Sequence, residues 1–228
     1  MGEIVEFPSN GSTGHGYLAR PTGTSGTGLG VLVIQEWWGL VPHIEDLCER
    51  FAAEGFVALA PDLYHGQTTT EPDEAGKLLM TLNLDRAAQD MSGAVDHLRA
   101  NSDGDRIALT GFCMGGGLAL LLATQRPDAF AAVAPFYGII PWEAAQPDWT
   151  KLAAPLQGHY AENDEFASLD KVKQFEQELK DLGKDVEFHY YPGTHHAFFN
   201  DTRPEVHDPE AARQAWERTL AFFRRHLG

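Results

Sequence analysis

Residues 111–116 constrain the fold more than any other part of the sequence. They read G-x-C-x-G-G, directly after the apolar run 106–110 and directly before the apolar run 117–124. A strand, a sharp turn and a helix in this order are the context of a nucleophile elbow, whose catalytic side chain lies in a strained turn. Glycines flank such a turn because side chains at those positions would collide with the neighbouring backbone. The segment therefore predicts a nucleophilic residue, Cys113.

The position of Cys113 before a helix suits this role. A helix N-terminus favours a thiolate, and its N–H groups can bind a developing oxyanion. The alternative is a buried and inert cysteine in a glycine-rich turn, since free cysteines are often buried. The other cysteine, Cys48, lies on an amphipathic helical segment, and we interpret it as a core residue.

A triad built on such an elbow needs an acid and then a histidine, both downstream. The candidate acids, Glu162 and Asp164, follow an apolar strand at residues 154–157. The candidate histidines, His195 and His196, follow a second strand. Parallel α/β sheets place their ligand sites at the carboxyl ends of strands, so the order and the placement of these groups support the catalytic interpretation.

Short apolar runs alternate with amphipathic segments along the chain, which is typical of a mostly parallel sheet covered by helices on both faces. We predict two strands within 2–20, strands at 30–34, 56–59, 106–110, 130–135, 154–157 and 186–191, and helices at 44–54, 84–100, 117–124, 169–182 and 209–226. The segment between 59 and 84 is predicted to be irregular. A chain of 228 residues fits one α/β domain, 1–228.

The net charge of −16 argues against nucleic acids and anionic membranes as partners, because both need a basic face. Neither C-x-x-C nor H-E-x-x-H occurs in the sequence, so we expect no metal and no cofactor. The first residues lack the basic and apolar regions of a signal peptide. A cytoplasmic location is therefore expected, and the oligomeric state is open.

Five segments carry a family resemblance: 35–39 (QEWWG), 60–64 (APDLY), 111–116 (GFCMGG), 136–138 (FYG) and 191–198 (YPGTHHAF). In this order they resemble the dienelactone hydrolase family, the cysteine-nucleophile branch of the α/β-hydrolase superfamily, over nearly the whole chain. The resemblance implies an α/β-hydrolase fold and a triad of Cys113, Asp164 and His196. It ranks Glu162 and His195 second.

The resemblance also implies an activity. It points to hydrolysis of a small ester or lactone through a thioacyl-enzyme, as in carboxymethylenebutenolidases. The backbone N–H groups of Met114 and Trp37 are the expected oxyanion-hole donors. Glu36 is implied to hold the resting thiol and to take its proton when substrate arrives. The alternative for Glu36 is a buried acid in a structural network.

Substrate preference is expected to differ from that of dienelactone hydrolase proper, in which two arginines bind the substrate carboxylate. Asn200 stands where the second arginine would be, and residues 66–80 contain no arginine; the nearest cations are Lys77 and Arg203. The missing charge-assisted hydrogen bonds argue against dienelactone itself.

An aromatic acyl pocket is expected instead, although core packing is the alternative for each of its residues. The pocket candidates are Trp37, Trp38, Tyr64, Tyr137, Trp142 and Phe198, together with Asn200. Two other functions fit the same sequence: a broad carboxylesterase or thioesterase, and a non-catalytic protein with a redox-responsive thiol.

Overall fold

The computed structural model describes residues 2–22, 28–142 and 145–228. Within these ranges the strands are β1 (Glu3–Ser9), β2 (Ser12–Ala19), β3 (Leu29–Ile34), β4 (Phe56–Pro61), β5 (Asp103–Phe112), β6 (Phe130–Phe136), β7 (Leu156–Asn163) and β8 (Val186–His195). The helices are α1 (Pro42–Ala53), α2 (Pro72–Thr81), α3 (Leu84–Ala100), α4 (Met114–Gln125), α5 (Leu169–Asp181) and α6 (Pro209–Leu227), with a 3-10 turn at Trp149–Lys151.

The strands form a mixed sheet in the order β1-β2-β4-β3-β5-β6-β7-β8. The pairs β1–β2 and β2–β4 are antiparallel, whereas β3–β4, β6–β7 and β7–β8 are parallel. Strands and helices alternate along most of the chain, which confirms the predicted α/β class with a mostly parallel sheet. None of the helices in the described ranges is long and apolar enough to cross a membrane.

The chain divides into two compact units, Met1–Ile107 and Ala108–Gly228. In the first unit, α1 starts with Pro42 at its first turn, where a missing N–H costs nothing. The side chain of Asn83 caps α3 by accepting from the N–H of Arg86. The Asn83 cap satisfies an N–H group that helix geometry leaves without a partner.

In the second unit, α4 is enclosed by its surroundings. Its residues from Met114 to Thr124 are all buried, as expected for a helix that is apolar on every side. The last helix, α6, is capped by Asp208, whose side chain accepts from the N–H of Ala211 at 2.9 Å. A buried α4 gives the turn before it a rigid support.

Two local predictions need correction. The segment predicted to be irregular contains α2, which has Glu71 as its N-cap and Pro72 in its first turn. The apolar periodicity of α2 was weak in the sequence, because the helix buries a single small residue, Ala75. Strands β7 and β8 also run beyond the predicted ends, to Asn163 and His195, because their backbone pairing continues after the apolar runs stop.

Candidate active site

Cys113 occupies the sharp turn between β5 and α4. Its backbone has φ 56° and ψ −119°, a left-handed conformation that costs a residue with a side chain about 1–3 kcal/mol. The N–H of Cys113 donates to the carbonyl of Phe136 at 3.1 Å, and its own carbonyl accepts from the N–H of Gly116 at 3.0 Å. These bonds hold the strained turn, and the side chain of Cys113 is half-buried.

The glycines of the turn are sterically required, as the sequence predicts. A Cβ on Gly111 would lie 2.2 Å from the carbonyl oxygen of Gly115. A Cβ on Gly116 would lie 2.8 Å from the Cα of Gly138. Both contacts are with backbone atoms, which cannot rotate away, so side chains are excluded on both sides of Cys113.

Asp164 and His196 form a hydrogen-bonded pair in the same unit. Asp164 directly follows β7 and His196 directly follows β8. Oδ2 of Asp164 lies 2.7 Å from Nδ1 of His196. Oδ1 of Asp164 accepts from the N–H groups of Phe166 and Ala167, both at 2.8 Å. The carboxylate is buried and is fixed through both of its oxygens.

The electrostatics of this pair favour a charged carboxylate and a protonated ring. Burial raises the pKa of Asp164, but hydrogen bonds from His196 and from two backbone N–H groups outweigh it and leave the pKa below its usual value. Burial lowers the pKa of His196, but its interactions with Asp164 and Cys113 raise it to about 10. Imidazolium next to a cysteine stabilises the thiolate form.

The second-ranked acid and histidine lie at the surface. Glu162 is exposed, and its Oε2 accepts from the N–H of Gly193 at 2.8 Å. His195 is exposed as well, although it is the last residue of β8. The structure thus brings Asp164 and His196 together and leaves Glu162 and His195 outside this pair.

Two aromatic rings contact the imidazole of His196. The ring centroids of Tyr137 and Phe166 each lie 5.0 Å from that of His196. Tyr137 is buried, whereas Phe166 is 63% exposed. Sequence reasoning included Tyr137 and missed Phe166, for which the available signal was its position two residues after Asp164.

The other predicted groups are placed as follows. Met114 is the first residue of α4, and N–H groups in the first turn of a helix point out of its N-terminus. Glu36 is 1% exposed and lies with Trp37 between β3 and α1 in the first unit. Trp37 and Trp38 are half-buried, and their rings contact each other at 5.0 Å. Tyr64 is buried.

The predicted substrate-binding positions in the second unit are enclosed to different degrees. Trp142 is half-buried, whereas Phe198 is fully buried and its ring contacts Tyr137 at 5.6 Å. Asn200 is also buried, and its Oδ1 accepts from the N–H and hydroxyl of Thr202 at 3.0 and 2.6 Å. The side-chain oxygen of Asn200 therefore stabilises a turn.

The two cations considered for an anionic substrate are engaged at the surface. Arg203 Nε lies 2.8 Å from Oε1 of Glu205, and Lys77 Nζ lies 2.6 Å from Oε1 of Glu74. Each pair joins residues close in sequence, and the lysine pair is well exposed. Each cation is therefore paired with a neighbouring surface carboxylate.

Comparisons with known proteins agree on one family. The model of the dienelactone hydrolase family matches residues 15–227. The chain is 39% identical to Protein usf of Aquifex pyrophilus, and the two match over their whole lengths. It is 37% identical, again over both whole lengths, to an Aquifex aeolicus protein provisionally named as a carboxymethylenebutenolidase. A crystal structure from Klebsiella pneumoniae, provisionally named as a dienelactone hydrolase, superimposes with a TM-score of 0.89 at 30% identity, covering 99% of this chain and 98% of the other.

Proposed function

We propose, from the premise that this chain belongs to the dienelactone hydrolase family, that Cys113, His196 and Asp164 are its catalytic triad. Membership makes the chain an α/β-hydrolase-fold enzyme acting on esters or lactones. The observation that carries the triad is the 2.7 Å hydrogen bond between Nδ1 of His196 and Oδ2 of Asp164. It fixes the ring so that Nε2 remains for proton transfer.

The proposed first half-reaction forms a thioacyl-enzyme. The thiolate of Cys113 attacks the carbonyl carbon, a C–S bond forms, and the π electrons of the carbonyl move to its oxygen. The N–H of Met114 donates to that oxyanion, and the family resemblance implies the N–H of Trp37 as the second donor. When the oxyanion collapses, the C–O bond breaks and the leaving alkoxide takes the proton from Nε2 of His196.

The second half-reaction restores the enzyme. Nε2 of His196, now neutral, accepts a proton from water, and the oxygen of that water attacks the thioacyl carbon. The C–S bond breaks, so that the carboxylic acid leaves and Cys113 returns as a thiolate beside protonated His196. Asp164 stabilises the protonated ring in both half-reactions without taking its proton.

Glu36 is proposed to control the resting thiol, the role that the family resemblance gives it. Its burial makes it unlike a solvated surface carboxylate. We expect Glu36→Gln to raise the rate at which iodoacetamide alkylates Cys113 or to weaken activation by substrate. Unchanged alkylation and unchanged kinetics would assign Glu36 a structural role.

We propose that the preferred substrates are small uncharged esters. Asn200 is committed to a turn, and Arg203 and Lys77 each pair with a nearby carboxylate, which argues against a role as dedicated ligands of a substrate carboxylate. The net charge of −16 further disfavours the approach of an anion. A neutral acyl group bound by aromatic side chains fits these features better than an anionic lactone does.

A substrate panel tests both proposals. Steady-state rates are measured for dienelactone, p-nitrophenyl acetate, p-nitrophenyl butyrate and a short acyl thioester. The variants are Cys113→Ala and, as a matched control, Cys48→Ala, which changes a fully buried cysteine of α1. We expect Cys113→Ala to lower kcat/KM by roughly 10³-fold or more, and Cys48→Ala to keep the activity of the folded enzyme.

Each outcome of the panel has a consequence. Faster turnover of the oxygen esters supports the neutral-ester proposal, and a clear preference for the thioester would make the protein a thioesterase. A large preference for dienelactone would refute the proposed substrate class while leaving the triad in place. Activity that survives Cys113→Ala would refute the triad, and a wild-type protein that turns over nothing but oxidises reversibly at Cys113 would be a thiol sensor.

A further inference from the structure

We propose that His159 and Tyr191 are positioning residues that hold the loop carrying His196; this inference rests on the proposed role of His196. His159 is in the interior of β7 and is fully buried. Its Nδ1 lies 2.8 Å from the hydroxyl of Tyr191 on β8, and its Nε2 lies 3.0 Å from the hydroxyl of Thr219 on α6. One side chain thereby connects two strands and a helix.

The protons of this network have one consistent arrangement. The hydroxyl of Thr219 donates to the carbonyl of Ala215 at 2.8 Å, so its oxygen must accept from His159. Nε2 of His159 therefore carries the hydrogen, and Nδ1 of the neutral ring has a free lone pair. The hydroxyl of Tyr191 must then donate to Nδ1. A protonated His159 would carry a hydrogen on Nδ1 as well, so the hydroxyl of Tyr191 could no longer donate to it.

The surroundings keep the ring of His159 and the hydroxyl of Tyr191 neutral. Burial, together with the repulsion that a protonated ring would meet from Arg218 and from His189 in its protonated form, holds the pKa of His159 well below its usual value. Burial raises the pKa of Tyr191 to about 12 against the lowering effect of Arg218. Two carboxylates also act on His189: Glu187, whose Oε1 lies 3.4 Å from Nε2 of His189, and Glu176. Tyr191 thus remains a hydrogen-bond donor across the physiological range.

Tyr191 contacts the loop on both sides of His196. Its carbonyl accepts from the hydroxyl of Thr194 at 2.8 Å, two residues before His196. Its ring lies 4.8 Å from that of Phe198, two residues after His196. Between them Ala197 has φ 66°, a strained conformation that persists only where neighbouring contacts enforce it.

The consequence concerns the Asp164–His196 pair. Asp164 follows the strand that contains His159, and His196 follows the strand that contains Tyr191. A hydrogen bond between His159 and Tyr191 therefore fixes the two strands to each other shortly before the two catalytic groups. Its loss should let the His196 loop shift relative to Asp164 without removing any group that contacts substrate.

A matched pair of tyrosine variants tests this. Tyr191→Phe removes the hydroxyl that donates to His159. Tyr190→Phe, at the neighbouring position, removes a hydroxyl that donates to Glu176 at 2.6 Å and does not bond to His159. We expect Tyr191→Phe to lower kcat about tenfold with KM nearly unchanged, less than the ~100-fold that a 1 Å displacement of a catalytic group can cost. Tyr190→Phe should leave kcat unchanged.

Nuclear magnetic resonance provides a readout independent of activity. The low-field resonance of the proton between His196 and Asp164 should broaden or shift in Tyr191→Phe and stay in place in Tyr190→Phe. The ring ¹⁵N shifts of His159 should identify the neutral Nε2–H tautomer at neutral pH. A protonated ring or the Nδ1–H tautomer in the wild type would overturn the proposal.

A second variant keeps the test decisive if Tyr191→Phe does not fold. Thr219→Val removes the acceptor of Nε2–H with little change in shape, so we expect the tautomer of His159 to change and kcat to fall. Unchanged kcat and an unchanged His196 resonance in the variants of Tyr191 and Thr219 would refute positioning. An inactive wild type that still shows these spectral effects would instead refute the proposed function and leave the positioning of His196 intact.

Discussion

Nδ1 of His196 and Oδ2 of Asp164 lie 2.7 Å apart because the strands that precede them are paired up to their last residues. Asn163 at the end of β7 is the Cα partner of His195 at the end of β8. The next residue on each strand is a member of the pair. The backbone pairing of the sheet, with a register shift between Ala161 and Asn163, thus brings the two strand ends together, and side-chain contacts then position the two groups.

Asp164→Asn should lower kcat by roughly 10²- to 10⁴-fold, because a neutral amide no longer stabilises the protonated ring of His196. The variant keeps an oxygen for the N–H groups of Phe166 and Ala167, so we expect it to fold. Glu162→Gln is the matched control at an exposed acid two residues earlier and should stay near wild-type activity. Equal losses in the two variants would contradict the assignment of the acid.

His196→Ala should lower kcat by roughly 10⁴-fold or more, as expected when the general base of a triad is removed. His195→Ala changes the adjacent exposed histidine and should change kcat little. Circular dichroism checks that both variants are folded. A loss confined to His195→Ala would transfer the catalytic role to that residue.

Gly111→Ala should destabilise the protein by about 1–3 kcal/mol, because its Cβ would lie 2.2 Å from the carbonyl oxygen of Gly115. Gly76→Ala is the control: its Cβ meets no atom within 4 Å. On α2 it should stabilise by about 0.5–1 kcal/mol, the usual advantage of Ala over Gly in a helix. Urea unfolding of both variants measures the difference, and equal stabilities would mean that the turn relaxes around the new methyl group.

The elbow was predictable because its signal is local. The glycines, the cysteine and the two apolar runs are contiguous in the sequence, and steric exclusion alone explains their spacing. The choice between His195 and His196 had no such local signal in the sequence. Both follow the same apolar run, and only their burial, which depends on where β8 ends, distinguishes them; the family resemblance had to decide.

The burial of polar residues was also not predicted, because it too depends on where a strand ends. His159 lies in a segment that the sequence indicated to be a loop, because a histidine after glycine ends the apolar run. In the structure the strand continues, and the ring stacks on Phe136 at 4.5 Å and bonds to Tyr191 and Thr219. Those partners are 32 and 60 residues away, beyond the reach of any local pattern. The position of Phe166 against His196 depends on the same long-range pairing.

The pKa shifts of the pair predict how stability depends on pH. The pKa of Asp164 is lowered, so its contribution is present at neutral pH and is lost as the pH falls through the folded-state value. The pKa of His196 is raised from 6.5 to about 10, so its contribution is complete below pH 6.5 and is lost as the pH rises toward 10. The wild type should therefore lose stability over that alkaline window.

Urea unfolding at pH 6.5, 8 and 9.5 checks the alkaline loss. The decrease in unfolding free energy should be smaller in His196→Asn, which lacks the titrating group, whereas His195→Asn should keep the wild-type slope. Because Cys113 contributes to raising the pKa of His196, Cys113→Ser should move the loss of stability to lower pH. A wild-type slope in His196→Asn would mean that other groups govern the alkaline transition and that the imidazole is not held in its protonated form by Asp164 and Cys113.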